Sequence, residues 1–150
     1  MSTIRVENLL DTSGSPIMRV GQVKFGESNA QHSTTSSSYV DINSALHLTL
    51  TPASTSSKML LLFSTTSQVN GSRGRYTIHF SGTNSTLDGD ANALTAFEGS
   101  NINHVVAFQY VHSPNTTSAV TYKPQVQNQN GNTVFTGAAN KTMFTVIEIL

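Results

Sequence analysis

Apolar and polar positions in this chain alternate in short runs, broken by Ser, Thr, Asn, Gly and Pro, and the clearest runs lie between Ser33 and Phe63. Ser33 to Ser38 is a hydroxyl-rich loop. Tyr39-Val40-Asp41-Ile42 reads as a short strand. Leu46, Leu48 and Leu50 alternate with His47, Thr49 and Thr51, the period-two pattern of a strand with one dry face. Pro52 ends it, and Pro52 to Ser57 is a turn. Met59-Leu60-Leu61-Leu62-Phe63 follows. Five consecutive apolar residues put hydrophobic side chains on both faces of a strand, so this one is expected to be covered from both sides.

The same reading extends along the chain. Ile17 to Phe25 is a strand, and Gly26 to Ser38 is polar loop. Ser64 to Gly74 is a second polar loop, with Asn70-Gly71 as its tight turn. Tyr76, Ile78 and Phe80 alternate with polar residues as a half-buried strand. Ser81 to Asp90 is loop, and Ala91 to Phe97 fits either a helical turn or a strand. Ile102 to Val111 is a longer strand with Val106, Phe108 and Tyr110 on one face. Val120, Tyr122 and Val126 form another, which Pro124 pushes towards a sheet edge. Thr142 to Leu150 closes the chain with Phe144 and Val146 on one side. About eight strands with turns at short intervals, and no long amphipathic helix, predict an all-β protein. The expected form is an antiparallel β-sandwich, jelly-roll-like, over residues 17–150. Residues 1–16 read as a docking arm, with Ile4, Val6, Leu9 and Leu10 as its apolar contacts and a loop after it.

Three strands are apolar on both faces: Met59–Phe63, Val105–Val111 and Met143–Ile149. In a lone sandwich one face of each strand meets water. Two apolar faces fit a covering loop or plain central-strand richness, or a subunit interface; the interface is the expectation carried forward, assigned to Met59, Leu61, Phe63, Val106, Phe108, Tyr110, Phe144 and Val146.

Charge reinforces that picture. Charged residues are 11% of the chain, against about 25% in an average soluble protein. Eight bases balance eight acids, which leaves no electrostatic footprint for nucleic acid or an anionic membrane. There is no cysteine, hence no disulfide or thiolate chemistry. Met1 to Arg5 has no apolar signal region, and the longest apolar run is far short of a membrane span. The expected product is made in the cytoplasm.

Candidate chemistry is sparse. His32, His47, His79, His104 and His112 lack paired metal-ligand spacing. Asp88-Gly89-Asp90 could hold a cation, but lacks the further acids of a calcium loop. Arg73-Gly74-Arg75 beside Tyr76 suits a solvated hairpin tip, or a contact to sugar or phosphate. No serine sits in a Gly-x-Ser-x-Gly elbow, and no carboxylate pair is argued by spacing. The expectation is therefore no catalytic residue, no metal, no cofactor and no enzymatic activity.

Several stretches, taken in order, resemble a known group. They are the Ser/Thr loop before Tyr39-Val40-Asp41-Ile42, then Leu48-Thr49-Leu50-Thr51-Pro52, then Ser56-Ser57-Lys58-Met59-Leu60. With the closing Thr142-Met143-Phe144-Thr145-Val146-Ile147-Glu148-Ile149, they resemble small structural proteins of tailed bacteriophages, cyanophages among them. The opening Ser2-Thr3-Ile4-Arg5-Val6-Glu7-Asn8-Leu9 resembles the N-terminal segment of phage tail-fibre and virion proteins. The resemblance implies a homotrimeric jelly roll in the virion. Its partners would be copies of itself, and other virion proteins such as the major capsid protein or tail components. The short chain, with no shaft repeat and no second domain, favours a capsid decoration (cement) protein. The alternative is a short tail fibre or receptor-binding protein that recognises a host-surface glycan through the loops 26–38, 64–74 and 81–90.

Overall fold

The structure is a computed structural model that describes residues 12–14, 19–87, 93–130, 133–137 and 141–150. The arm residues Ile4, Val6, Leu9 and Leu10, and the Asp88-Gly89-Asp90 segment, lie outside the described residues.

The described chain is an antiparallel, jelly-roll-like β-sandwich. Its strands are β1 (Val20–Ser28), β2 (His32–Thr34), β3 (Val40–Asp41), β4 (Leu48–Leu50) and β5 (Lys58–Phe80). After these come β6 (Ser85–Thr86), β7 (Thr95–His112), β8 (Val120–Asn128), β9 (Val134–Thr136) and β10 (Thr142–Ile149). Leu46, expected in a strand, sits instead in a short 3-10 turn over Ser44–Leu46, capped by the Asn43 side chain on the Ala45 N–H at 2.8 Å.

Strand β5 makes the sandwich. Its first half lies between β10 and β7, and its second half pairs with β8. A straight strand would separate Phe63 from Tyr76 by roughly 43 Å, yet their ring centroids are 5.9 Å apart. The strand therefore folds over itself, and its two halves face each other across the core. The fold-over occurs where pairing with β7 slips, between Gln68 and Ser72. Gly71 (φ 66°) and Asn101 (φ 54°) both take the left-handed conformation there, as bulges that bend the two strands together.

This corrects two sequence expectations. Asn70-Gly71 is a bulge inside a strand, not a hairpin turn, and Ser64 to Gly74 is strand throughout. Arg73 to Arg75 is accordingly not a hairpin tip. The polar residues at the bend hide a buried network. The Tyr76 hydroxyl is 2.6 Å from Ser67 Oγ and 2.7 Å from Thr136 Oγ1, and Thr65 bonds Thr142 at 2.7 Å. Burial pushes the Tyr76 hydroxyl up to about 12, against the pull of its Ser67 and Thr136 bonds.

The extra residue at the bend also reverses the strand's phase. Met59, Leu61, Phe63 and Val69 point inward before it, and Tyr76, Ile78 and Phe80 after it. With Val120, Tyr122, Val126, Val134, Phe144 and Val146 they form one core.

Pro124 is not on an edge strand, because β8 is paired on both sides. The ladder changes there from β4, which ends at Tyr122, to β3, which begins at Gln125. A missing N–H is tolerated at that gap, and the Pro124 carbonyl still accepts from the Ile42 N–H at 3.1 Å.

One buried charge closes the end of the sandwich. Glu148 is 1% exposed. It accepts from the Ala53 N–H at 2.6 Å and from Gln22 Nε2 at 2.9 Å. A bulge between Val20 and Val23 lies where Gln22 turns in, and a Cβ on Gly21 would come within 2.8 Å of the carboxylate. Burial pushes the Glu148 carboxyl up, but bonds from Ala53, Gln22 and Ser57 outweigh it and hold the group below its ordinary value. A lowered folded value means that the stabilisation is present at neutral pH. It is lost as pH falls from the ordinary carboxylate range through the folded value. Glu148→Gln should cost roughly 1–3 kcal/mol at pH 7 and flatten the acid side of the stability profile. Urea unfolding from pH 7 down to pH 3 checks both; an unchanged acid slope would remove this role for Glu148.

Candidate assembly surface

The eight residues assigned to an interface by sequence are placed on the inner side of the sandwich. Met59, Leu61, Phe63, Val106, Phe144 and Val146 are buried core residues, and Phe108 and Tyr110 pack against that core. They are satisfied within the chain, so the assignment is corrected in phase: the second apolar face is built from the residues between them.

The register of β1, β10, β5 and β7 places those residues in rows. Phe25 lies beside Thr145, Leu62 and Gln109. In the next row Val23 lies beside Ile147, Leu60 and Val111. On the other side Met143 lies beside Ser64 and Ala107, and Val105 follows on β7. Val105 is 81% exposed and Phe25 is 56% exposed, with Val23, Val111 and Met143 also open to solvent. Between them is a shallow apolar depression of about 470 Å³, lined by Phe25, Leu62, Ala107 and Met143. Charge is confined to the margins. Lys141 and Glu27 pair at 3.3 Å at one end, and Lys58 stands two positions before Leu60 at the other. Chemically this surface can bury apolar area.

The remaining polar groups are mostly committed to one another. Asp41 accepts from Gln125 Nε2 at 2.7 Å, with His47 at 3.3 Å and Lys123 at 3.7 Å, tying β3 to β8. Burial lowers the pKa of His47, and Lys123 lowers it further, while Asp41 opposes both. His112 Nδ1 lies 2.9 Å from the Tyr122 hydroxyl and its ring packs edge-on against Phe80. Burial lowers the pKa of both His112 and His32 and pushes the Tyr122 hydroxyl up. Among the described residues no three metal-ligating side chains converge.

A second depression, of about 440 Å³, lies by the bend and is polar. Arg73 and Glu98 meet across it at 3.5 Å, with Gln129 and Asn130 beside them. None of the described residues lining it is aromatic. The glycan-loop expectation changes accordingly: 64–74 is strand, and 26–38 contains the end of β1 and all of β2. Part of 81–90 is β6, with 88–90 outside the described residues.

No known family model matches the chain, and no curated protein matches it in sequence. Among solved structures it is similar to the VP2 subviral particle of infectious bursal disease virus. The TM-score is 0.44 and the identity 12%, over 97% of this chain and 44% of that one. It is also similar to the structure of the Gx strain of that virus, at TM-score 0.43 and 12% identity, over 97% of this chain and 41% of that one. The chain thus spans less than half the length of either.

Proposed function

We propose that this chain is a non-enzymatic structural protein of a virus particle, made in the host cytoplasm, which works by associating with copies of itself. The observation that carries the reading is the apolar outer face of β1, β10, β5 and β7. Four strands about 4.8 Å apart, with about six residues each, make a face of roughly 400 Å². The largest apolar patch on a typical monomer is about 300–600 Å² and is often a functional contact surface, and this face falls in that range. The core is complete without this face, so its apolar side chains serve association.

The resemblance to small tailed-bacteriophage proteins gives the finer reading. The chain is a capsid decoration protein, a homotrimer set on the head and in contact with the major capsid protein. Repeated weak apolar contacts give such a particle avidity without any strong single site. A short tail fibre or receptor-binding protein for a host-surface glycan is the second reading, and the polar depression at Arg73 and Glu98 favours it. Its charges already pair with each other and none of the described residues lining it offers a ring for a sugar to stack on, so decoration is preferred.

The two faces of β5 separate folding from assembly. Leu62→Asp with Val111→Asp should give a folded monomer, whereas Leu61→Asp should not fold, since it buries an unpaired charge. Sedimentation with circular dichroism reads both. A wild-type chain sedimenting as a 16.1 kDa monomer at micromolar concentration would remove self-association. Immunogold labelling of intact particles then places the protein. Label over the head is expected, label at the tail alone favours the fibre reading, and no label on any particle overturns the virion role.

A further inference from the structure

The sheet that carries the outer face ends in two unlike edges. At the β1 edge, Lys24 and Glu27 are charged, and a bulge breaks the pairing between Val20 and Val23. The 3-10 turn also lies against this edge, where a Cβ on Gly26 would come within 2.5 Å of the Ala45 carbonyl. Charges, bulges and covering segments are the usual means of closing an edge against strand addition.

Beyond the bulge at Asn101, over residues 103–111, the β7 edge carries no Asp, Glu, Lys, Arg or Pro and no break in register. Among the described strands this part of β7 pairs with β5 alone. The register shows which backbone groups are left over. The Thr66 carbonyl accepts from the Gly137 N–H at 2.7 Å, on the side of β5 away from β7. The even residues of β5 therefore turn away from β7 in this half of the strand, and the odd ones bond the even residues of β7. The N–H and C=O groups of Asn103, Val105, Ala107, Gln109 and Val111 then point out of the sheet. No described backbone group bonds them outside the strand ladder. The side chains of the same residues lie on the outer face. The edge and the apolar face are one continuous surface.

We infer that the β7 edge over residues 103–111 pairs antiparallel with the same edge of a second copy of this chain. The inference rests on the self-association reading and specifies its geometry. Three arguments select a second β7 as the occupant. The β1 edge is blunted, so head-to-tail addition through β1 is closed. An uncharged edge meets itself across a twofold axis without setting like charges opposite each other. Finally, one outer face of roughly 400 Å² is small beside the roughly 800 Å² that each partner buries in a stable association. Joining two sheets edge to edge makes a single eight-stranded face of twice that size. Added to the trimer that the bacteriophage resemblance implies, the twofold pair gives a particle of six copies.

Native mass spectrometry and amide exchange on the full chain test this. The wild-type mass should be an even multiple of the 16.1 kDa chain, with the Val105, Ala107, Gln109 and Val111 amides protected. Ala107→Pro removes an outward N–H without touching the β5 ladder, a position where an edge strand accepts proline. It should halve the mass and release protection at Val105, Gln109 and Val111. Val105→Lys with Gln109→Lys keeps the test open should the proline variant not fold, and should also halve the mass. A trimer with freely exchanging β7 amides, or full mass retained by a folded variant, overturns the edge pairing and leaves the proposed function standing. A monomeric wild-type chain overturns both.

Discussion

The fold depends on β5 remaining one strand while it crosses from one layer of the sandwich to the other. Had its alternation continued unbroken past Val69, Tyr76, Ile78 and Phe80 would face solvent, and the second layer would have no inner side. The bulges at Gly71 and Asn101 insert the odd residue that reverses the phase, and they bend β5 and β7 together so that their pairing survives the corner. The Tyr76 hydroxyl then locks the bend. It reaches back nine positions to Ser67 and across to Thr136, so both sides of the corner and β9 share one buried network. Fully bonded buried hydroxyls of this kind fix a single geometry, whereas unbonded ones would cost more than the bend gains.

That network explains where the sequence stops being legible. Alternation identified the strand at Tyr76–Phe80, and apolar runs identified those at Met59–Phe63, Ile102–Val111 and Thr142–Ile149, because each has an apolar inner face. Between Ser64 and Gly74 the inner positions before the bend are Thr65, Ser67 and Val69, and the two hydroxyls are buried yet satisfied. A hydropathy reading scores them as loop. The faint signal was their spacing: Phe63, Thr65, Ser67 and Val69 keep the odd phase of the strand. Asn70-Gly71 carries the same left-handed preference in a bulge as in a hairpin turn, so the dipeptide alone does not separate the two. Pro124 misled for a related reason. Its missing N–H signals an unpaired backbone site, and the gap between β3 and β4 supplies one inside the sheet.

The candidate surface was half legible. A run such as Met59 to Phe63 reveals that both faces are apolar, but not which face the core takes. Deciding that needs the partners across the sheet: Leu61 with Val146 and Tyr110 inside, Leu62 with Thr145 and Gln109 outside. Only long-range register supplies it. The buried Glu148 was equally hidden, since its neighbours Gln22 and Ala53 are 126 and 95 positions away in the chain.

What distinguishes the outer face is that the packing of the described residues does not require it. Phe144, Leu61 and Val106 already give β10, β5 and β7 a buried side, and polar residues between them would leave that packing intact. The sequence places Met143, Leu62, Val105 and Val111 there, in a chain whose charges at Glu27, Lys141 and Lys58 stand only at the margins of the same face. On β7 the side chains that make the face apolar belong to the residues whose backbone groups the register leaves unpaired. A partner that covered the face without meeting the edge would strand those groups at a low-dielectric boundary, where unbonded amides are costly. A strand of matching length and no charge completes the edge, and the doubled apolar face it creates is then large enough for a further copy to bury without stranding those groups.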